Sequence, residues 1–246
     1  FISCCFYYIA ITSSVKFDES KLSGAAQSCA VFDGDGERVD FGSYSEYVEI
    51  KNIPENLKNS FIAIEDKRFY THNGVDYRSM LRATKNNLFS GKIKEGASTI
   101  SQQLVKNAFL SGEKTVNRKL CEIKLARQLE KRYSKNEILE MYLNKIYFGN
   151  GAYGVAAAAK TYFGKTTEEL TLSECATLAA VVKAPASYDP YSYADKCKNR
   201  RNLVLKEAFS QGYINESDYG DAVKRDLTLK TRNSSRENAF AAEAIN

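Results

Sequence analysis

The sequence is short of the residues that build metal centres, covalent catalytic arrangements and membrane spans. It has no tryptophan and a single histidine, His72, so a multi-histidine metal site within this chain is excluded. Its six cysteines show no CxxC spacing, which disfavours zinc, and no Ser/His/Asp arrangement stands out. The uncharged stretch FISCCFYYIAI at residues 1 to 11 is shorter than the roughly 20 residues that a spanning helix needs.

What is present is an ordinary globular composition. The 246 residues suffice for one large domain or two lobes, and 43% of them are hydrophobic while 26% are charged. Lysine and arginine number 35 against 30 acidic residues, a formal net charge of +5. This mildly basic balance is too weak to indicate nucleic acid, and we predict no nucleic-acid partner.

The N-terminal part divides into two short segments. We interpret residues 1 to 20 as the remnant of a membrane anchor with a polar exit; the alternative is a buried strand or core helix. Residues 21 to 52 form a small β-containing segment, in which DGDG at residues 33 to 36 predicts the turn of a hairpin. The further ligands of a calcium loop are missing from that turn.

From Pro54 onward the pattern is almost entirely helical. Pro54 suits the first position of a helix over residues 55 to 66, and Ser98 suits the cap of a helix over residues 99 to 110. Residues 75 to 94 predict an amphipathic element that either lies on an anionic membrane or forms a plain surface helix. Further helices are predicted at residues 118–133, after the capping box 134–137, at 152–163 closed by Gly164, after the capping box 171–174, and at 196–212 and 217–224. Cys121 and Cys175 fall within helical patterns and are predicted core residues.

Glu65 is the first candidate catalytic residue. Phe61 and Leu57 precede it by four and eight residues, so all three share one helix face and the carboxylate ends an apolar stripe. A carboxylate there is costly to ionise, which suits a proton acceptor working near neutral pH. The alternative is a structural ion pair with Lys67 or Arg68.

Glu122 repeats the pattern on a second helix. Leu125 and Leu129 lie on its own face, three and seven residues further on. Arg118 and Lys119 precede it by four and three residues, within reach of its carboxylate. The alternative is an ordinary intrahelical ion pair.

A basic cluster lies between these two acids. A helix start near Ser98 offers free N–H groups, hydroxyls and amides, and therefore suits an anion. Lys106, Lys114, Arg118 and Lys119 follow. The alternative is a solvated basic face.

Five ordered motifs carry a family resemblance. They are EDKRFYTHNG, GASTISQQ, RKLCE, KNEILEMYLNKIYFGNGAYG and AAKTYFGK. In this order they resemble glycosyltransferase family 51, the peptidoglycan glycosyltransferase domains of class A penicillin-binding proteins and their monofunctional relatives, over roughly residues 53 to 213. The resemblance implies a mainly α, lysozyme-like, two-lobed domain at residues 53 to 230, with a membrane-touching jaw lobe at about residues 75 to 97.

The resemblance also implies an activity. Family members polymerise lipid II into β-1,4 glycan strands, with inversion at the donor sugar and release of undecaprenyl pyrophosphate. By match to the first motif Glu65 is the general base, and by match to the third Glu122 lies on the leaving-group side, where it could steer a divalent cation, Mg or Mn. No organic cofactor is implied.

The remaining site residues follow from the same motifs. Lys106 and Lys119, helped by Arg118 and Lys114, would hold the donor pyrophosphate, although Lys114 stands where some relatives have Arg. The donor cleft would be lined by Ser98, Thr99, Gln102 and Gln103. The wall around Glu65 would be shaped by Asp66, Phe69 and His72.

Partners and location follow as expectations. The implied partners are lipid II, the growing strand, the membrane and cell-wall synthesis proteins. A single N-terminal anchor would hold the catalytic domain on the extracytoplasmic side of the cell membrane. Residues 231 to 246 are interpreted as the start of a linker to a transpeptidase domain. Two rival functions are a hydrolytic or lytic muramidase and a non-enzymatic membrane-anchored scaffold.

Overall fold

A computed structural model describes residues 2–13, 15–22, 31–32, 38–39, 46–90, 96–110 and 115–231. Within these ranges the chain is mainly helical, as predicted. The α-helices are α1 Ile2–Ser13, α2 Glu55–Glu65, α3 Tyr77–Ser90, α4 Ile100–Phe109, α5 Val116–Arg132, α6 Lys135–Lys145, α7 Val155–Phe163, α8 Leu172–Val182, α9 Ala194–Ser210 and α10 Glu216–Lys224. Short 3-10 helices occupy Glu19–Lys21, Ile50–Asn52 and Phe69–Thr71.

The predicted hairpin lies mostly outside the described residues. Strands β1 Val31–Phe32 and β2 Arg38–Val39 pair antiparallel, with Val31 opposite Val39. The turn at residues 33 to 36 is not among the described residues, so the hairpin stays a prediction.

Local sequence signals explain where several helices begin. Three helices begin with a capping box, in which the residue before the helix and the third helical residue each use their side chain to bond the other's backbone N–H. The pairs are Thr99 with Gln102, Ser134 with Glu137, and Thr171 with Glu174. The last two boxes are those that the sequence predicts. The prediction for α4 is wrong by one residue, because the extended Thr99, and not Ser98, accepts the hydrogen bond from the Gln102 N–H at 3.1 Å.

Other helix ends also differ from the prediction. Pro54 is the cap before α2 and not its first residue, since its ψ of 144° is extended. The helix ends at Glu65, because Asp66 leaves the helical conformation. α7 begins at Val155, three residues late, since Gly154 has a φ of 83° that a helix does not allow. α9 begins at Ala194, two residues early.

The core is centred on α8. All residues from Cys175 to Val181 are buried, and the helix packs against α2 and α9. A second group of contacts joins α4 to α5 and α6. Cys121 and Cys175 are buried free thiols, as predicted, and burial raises the pKa of the Cys175 thiol to about 12.

A buried guanidinium joins α9 to the end of α10. Arg201 is fully buried and donates to the carbonyl oxygens of Val223 at 2.9 Å and Arg225 at 2.6 Å. The same guanidinium donates to the Ser173 hydroxyl at 3.1 Å. Burial lowers the pKa of Arg201, and the carbonyls at the helix C-terminus offset part of that cost.

The N-terminal region contacts the domain through α5 and α6. The Asn144 side chain bonds both backbone groups of Val48, at 2.8 and 2.9 Å, and Lys124 donates to the Thr12 carbonyl at 2.6 Å. Within the described residues, no helix combines the length and apolar character needed to cross a bilayer. The division into lobes stays a prediction; α3 covers most of the proposed jaw, and its Leu81 and Leu88 are largely exposed.

Candidate active site

Glu65 lies where α2 ends, with its side chain partly exposed. Phe61, one turn earlier, is fully buried, as the apolar stripe predicts. The Gln103 amide donates to Glu65 Oε2 at 2.8 Å. The Tyr142 hydroxyl in turn donates to Gln103 Oε1 at 3.2 Å. A neutral amide therefore holds the carboxylate, and α2, α4 and α6 meet at this point.

The structural alternative for Glu65 is wrong. Lys67 forms its ion pair with Glu207, which is 140 residues away in the sequence. Arg68 binds Asp76 through both carboxylate oxygens, with Nε at 2.8 Å from Oδ2. Neither neighbouring cation therefore forms its ion pair with Glu65.

Asp66 faces the opposite way, into the protein. Its buried carboxylate accepts a hydrogen bond from the backbone N–H of Ile100 at 3.0 Å and lies 2.9 Å from His72 Nε2. Phe69 is fully buried and contacts the His72 ring edge to face. The three predicted wall residues thus form one buried unit beside Glu65, and through Ile100 that unit contacts the first residue of α4.

Two residues beyond this unit were not predicted. Lys135 donates to the carbonyl of His72 and to Glu130 Oε1, both at 2.7 Å, and its ammonium lies 4.6 Å from the centre of the Phe69 ring. Glu130 Oε1 is 3.8 Å from His72 Nδ1. These contacts fix the loop that follows Glu65. Glu130 and Lys135 lie in predicted helices, but their spacing carries no sign of a partner in another motif.

Glu122 is buried, on the inner face of α5. Lys119, one turn earlier, donates to Glu122 Oε1 and also to the Ser98 hydroxyl at 3.0 Å. The intrahelical ion pair foreseen as the alternative is therefore present, but the same ammonium also contacts the start of α4. Arg118 is partly buried on the same turn as Lys119.

The remaining predicted donor residues differ in their exposure. The side chains of Thr99 and Gln102 are buried in the capping box, and the Thr99 hydroxyl donates to the Gly74 carbonyl at 2.7 Å. Lys106 is partly exposed one turn after Gln103, and among the described residues its ammonium has no ion-pair or hydrogen-bond partner. Lys114 lies outside the described residues.

Gly74 fixes how closely the loop after Glu65 approaches α5. Its φ is +87°, and a Cβ at this position would lie 2.7 Å from the carbonyl oxygen of Ala126. Any side chain would push the loop away from α5. The Asn73-Gly74 turn was predicted, but the contact with Ala126 was not, because a turn signal does not identify what the turn packs against.

The described residues do not supply a protein cage for a divalent cation. Among them, no group of three or more histidine, cysteine, aspartate or glutamate side chains could hold one ion. The carboxylate of Glu122 already accepts a hydrogen bond from Lys119. We therefore derive no step through a metal, and the cation at Glu122 stays a prediction from the sequence.

Comparison with known proteins agrees with these motifs. A family model described as Transglycosylase matches residues 36–209. Penicillin-binding protein 1A of Aquifex aeolicus is 49% identical over 187 residues, which are 76% of this chain and 26% of that protein. A putative transglycosylase of Cupriavidus necator is 45% identical over 75% of this chain and 80% of its own length.

A solved structure shows the same fold. The crystal structure of penicillin-binding protein 1A from Haemophilus influenzae is similar with a TM-score of 0.50 and 25% identity, over 87% of this chain and 23% of that one. The chain thus spans 26% and 31% of the penicillin-binding proteins 1A of Aquifex aeolicus and 1F of Bacillus subtilis. Because the family model covers most of its length, the chain belongs to the transglycosylase family, glycosyltransferase family 51, the peptidoglycan glycosyltransferases of class A penicillin-binding proteins and their monofunctional relatives.

Proposed function

We propose that this domain polymerises lipid II into β-1,4 glycan strands, with inversion at the donor sugar. The observation that carries the proposal is the state of Glu65: it is partly exposed, held by the Gln103 amide, and left unpaired by both neighbouring cations. A carboxylate held in this way has a defined orientation and no cation beside it from Lys67 or Arg68, which suits a general base.

Glu65 would act in a single displacement. It takes the proton of the 4-hydroxyl of the acceptor sugar as that oxygen bonds to the anomeric carbon of the donor. The bond between that carbon and the pyrophosphate oxygen breaks, and the pyrophosphate departs with the electron pair. Since the donor linkage is α and the product is β, one displacement accounts for the inversion without a covalent intermediate.

The cations would stabilise the departing pyrophosphate. Lys106 is partly exposed on α4, one turn after Gln103, where its ammonium can approach an anion. Lys119 lies between Glu122 and Ser98, where it can hold a phosphate oxygen while it keeps Glu122 neutralised. Charge develops on the leaving group during the reaction, so cations placed at its exit lower the barrier. Arg118 and Lys114 remain proposed helpers.

The setting of the reaction is also a proposal. Lipid II is membrane-bound, so the domain would work at the outer surface of the cell membrane, held there by an N-terminal anchor. The exposed Leu81 and Leu88 of α3 support contact with lipid. Cell-wall synthesis proteins remain expected partners.

The test is strand elongation from lipid II by the wild-type chain and by Glu65→Gln. The isosteric amide keeps the shape but removes the base, so we expect polymerisation to fall by about 10²- to 10⁴-fold while lipid II still binds. Glu55→Gln is the matched control, because Glu55 lies on the same helix, is largely exposed and pairs with Lys58 at its first turn. It should polymerise like the wild type.

A parallel incubation with finished glycan separates the rival enzyme class. A polymerase lengthens strands from lipid II and leaves finished glycan intact, whereas a muramidase shortens the glycan. A wild-type rate of polymerisation by Glu65→Gln would show that Glu65 is not the base. Binding of lipid II without elongation by the wild type would favour the scaffold.

A further inference from the structure

Three side chains from three helices form a short hydrogen-bonded chain that ends at Glu65. Tyr142 of α6 donates to Gln103 Oε1 at 3.2 Å, and Gln103 of α4 donates from Nε2 to Glu65 Oε2 at 2.8 Å. The inner end is 1% exposed at Tyr142, and the outer end, Glu65, is partly exposed. The carboxylate that meets solvent is thus connected to a fixed hydroxyl in the core.

The chemistry of the three groups allows one direction of donation. An ionised carboxylate only accepts, so Gln103 must turn its NH₂ group toward Glu65. The amide oxygen then faces Tyr142, whose hydroxyl must donate. The flipped amide would bring its oxygen against the carboxylate and repel it. Donation by Tyr142 and acceptance by Glu65 therefore select the same orientation of Gln103.

Tyr142 itself is held firmly as a donor. Its ring contacts Phe61 edge to face, with centroids 6.1 Å apart, and Phe61 lies one turn before Glu65 on α2. Burial raises the pKa of Tyr142 well above its usual value, and the charges of Glu65 and Asp66 raise it further. The hydroxyl therefore keeps its proton at every pH at which the protein works.

We propose that Tyr142 is a positioning residue for polymerisation, acting through Gln103 on Glu65. It locks the amide so that Glu65 Oε2 is occupied and Glu65 Oε1 is the oxygen that receives the proton of the acceptor hydroxyl. The proposal rests on the proposed role of Glu65 as the base. It assigns to Gln103 the orientation of the base, beyond the lining of the donor cleft that the family motif implies.

Tyr142→Phe tests the proposal, since it removes the hydroxyl and keeps the ring against Phe61. We expect kcat for lipid II polymerisation to fall by about tenfold, because a base that turns away from the acceptor oxygen spends less time in the reactive geometry. KM for lipid II should stay within about twofold of the wild-type value, since Tyr142 is buried in the core and does not face solvent.

A double-mutant cycle shows whether Tyr142 acts through Gln103. Gln103→Ala should lower kcat at least as much as Tyr142→Phe, and the double variant should be no slower than Gln103→Ala alone. Tyr162→Phe is the matched control, because Tyr162 is also fully buried and donates to the Phe148 carbonyl at 2.7 Å. It should lose thermal stability as Tyr142→Phe does, and keep its kcat.

Gln103→Glu examines the same geometry should Tyr142→Phe not fold. The new carboxylate still accepts from Tyr142 but places a second negative charge against Glu65 instead of a donor, so kcat should fall at least as much as in Gln103→Ala. Wild-type kcat in Tyr142→Phe, or independent losses that multiply in the double variant, would overturn the positioning role. If the positioning role fails while Glu65→Gln abolishes polymerisation in the same assay, only the proposal for Tyr142 is wrong. If Glu65→Gln stays active, the proposed role of Glu65 as the base is wrong.

Discussion

The carboxylate of Asp66 accepts a hydrogen bond of 3.0 Å from the backbone N–H of Ile100, the first residue of α4. The preceding residue, Glu65, contacts the same helix one turn further along, through Gln103. Two consecutive acids thus contact the first turn of α4. The side chain of Asp66 is buried, and that of Glu65 is partly exposed. The position of Glu65 therefore depends on the attachment of α4 to Asp66.

Asp66→Asn should weaken this attachment. The amide replaces one acceptor oxygen by a donor. Facing Ile100, that donor leaves the buried N–H unpaired; facing His72, it loses the charge of the carboxylate from both hydrogen bonds. We expect a loss of about 1–3 kcal/mol in the free energy of unfolding, measured with urea, and a clear fall in polymerisation because α4 carries Gln103.

Asp18→Asn serves as the comparison, since Asp18 is exposed and caps a short helix far from the site in sequence. It should change stability by about 0.5 kcal/mol or less and leave polymerisation unaltered. An Asp66→Asn protein with wild-type stability and wild-type rate would show that Ile100 needs no anchor.

Lys119→Met separates the two roles of Lys119. It should lower kcat/KM for lipid II by about 10²-fold through loss of charge at the leaving group. It should also destabilise the fold by about 1–3 kcal/mol, because the buried carboxylate of Glu122 loses its partly exposed partner. Steady-state kinetics and urea unfolding measure the two effects.

The double variant Lys119→Met/Glu122→Gln distinguishes them. Removing the carboxylate should restore most of the lost stability, while polymerisation stays as low as in the single variant or lower. Recovery of polymerisation in the double variant would mean that Lys119 serves only to neutralise Glu122.

Gly74→Ala tests the contact between the loop after Glu65 and α5. Both Gly74 and Gly212 have positive φ, +87° and +76°, but a Cβ at Gly212 would meet nothing within 4 Å. Gly212→Ala should therefore cost about 1–2 kcal/mol for backbone conformation alone. Gly74→Ala should cost about 1–3 kcal/mol more, from the clash with the Ala126 carbonyl.

Thermal and urea unfolding of the two alanine variants give the difference directly. Polymerisation should fall only in Gly74→Ala, because the displaced loop begins at Glu65. Equal costs for the two substitutions would show that the loop moves away from α5 without penalty.

The pH dependence of stability should report on Asp76. Burial alone would raise the pKa of Asp76, but hydrogen bonds from Arg68 and Ser79 hold it well below its usual value. A depressed carboxyl pKa stabilises the fold above the unfolded-state pKa of about 3.9, and this contribution is lost as pH falls toward the folded-state pKa. The gap in unfolding free energy between wild type and Asp76→Asn should be full above about pH 5 and shrink below about pH 4.

Urea unfolding between pH 3 and pH 7, the range set by the ordinary aspartate pKa of about 3.9, measures this gap. Arg68→Met removes the same pair from its other side, so its gap should follow the same course. A gap that stays constant over this range would show that the pair does not perturb Asp76.

Signals confined to a few neighbouring residues were predictable. The boxes at Ser134 and Thr171 and the turn at Asn150-Gly151 depend on groups three residues apart or fewer, and the structure confirms all three. Helical periodicity also placed Glu65 and Glu122 at the ends of buried apolar stripes, because each stripe lies within a single helix. The start of α4 was missed by one residue because Ser98 and Thr99 are both good caps, and only the tertiary contact of Thr99 with Gly74 distinguishes them.

Pairings between distant residues were not predictable. The sequence suggested Lys67 and Arg68 as ion-pair partners of Glu65, but Lys67 pairs with Glu207. Tyr142 donates a hydrogen bond to Gln103, which is 39 residues away in the sequence. Side-chain spacing on one helix identifies which face is buried, but it carries no information on which polar group of another helix will meet it. The family motifs name the participating residues without giving the contacts that hold them.

The contact of Gly74 with Ala126 joins main chain to main chain, and Ala126 lies one helical turn beyond Glu122. The separation between the loop that starts at Glu65 and the helix that carries Glu122 is therefore set by peptide atoms, which do not change when side chains are exchanged. Substitutions that leave Gly74 and the main chain of α5 in place should therefore alter the side chains of either segment without changing the distance between the two.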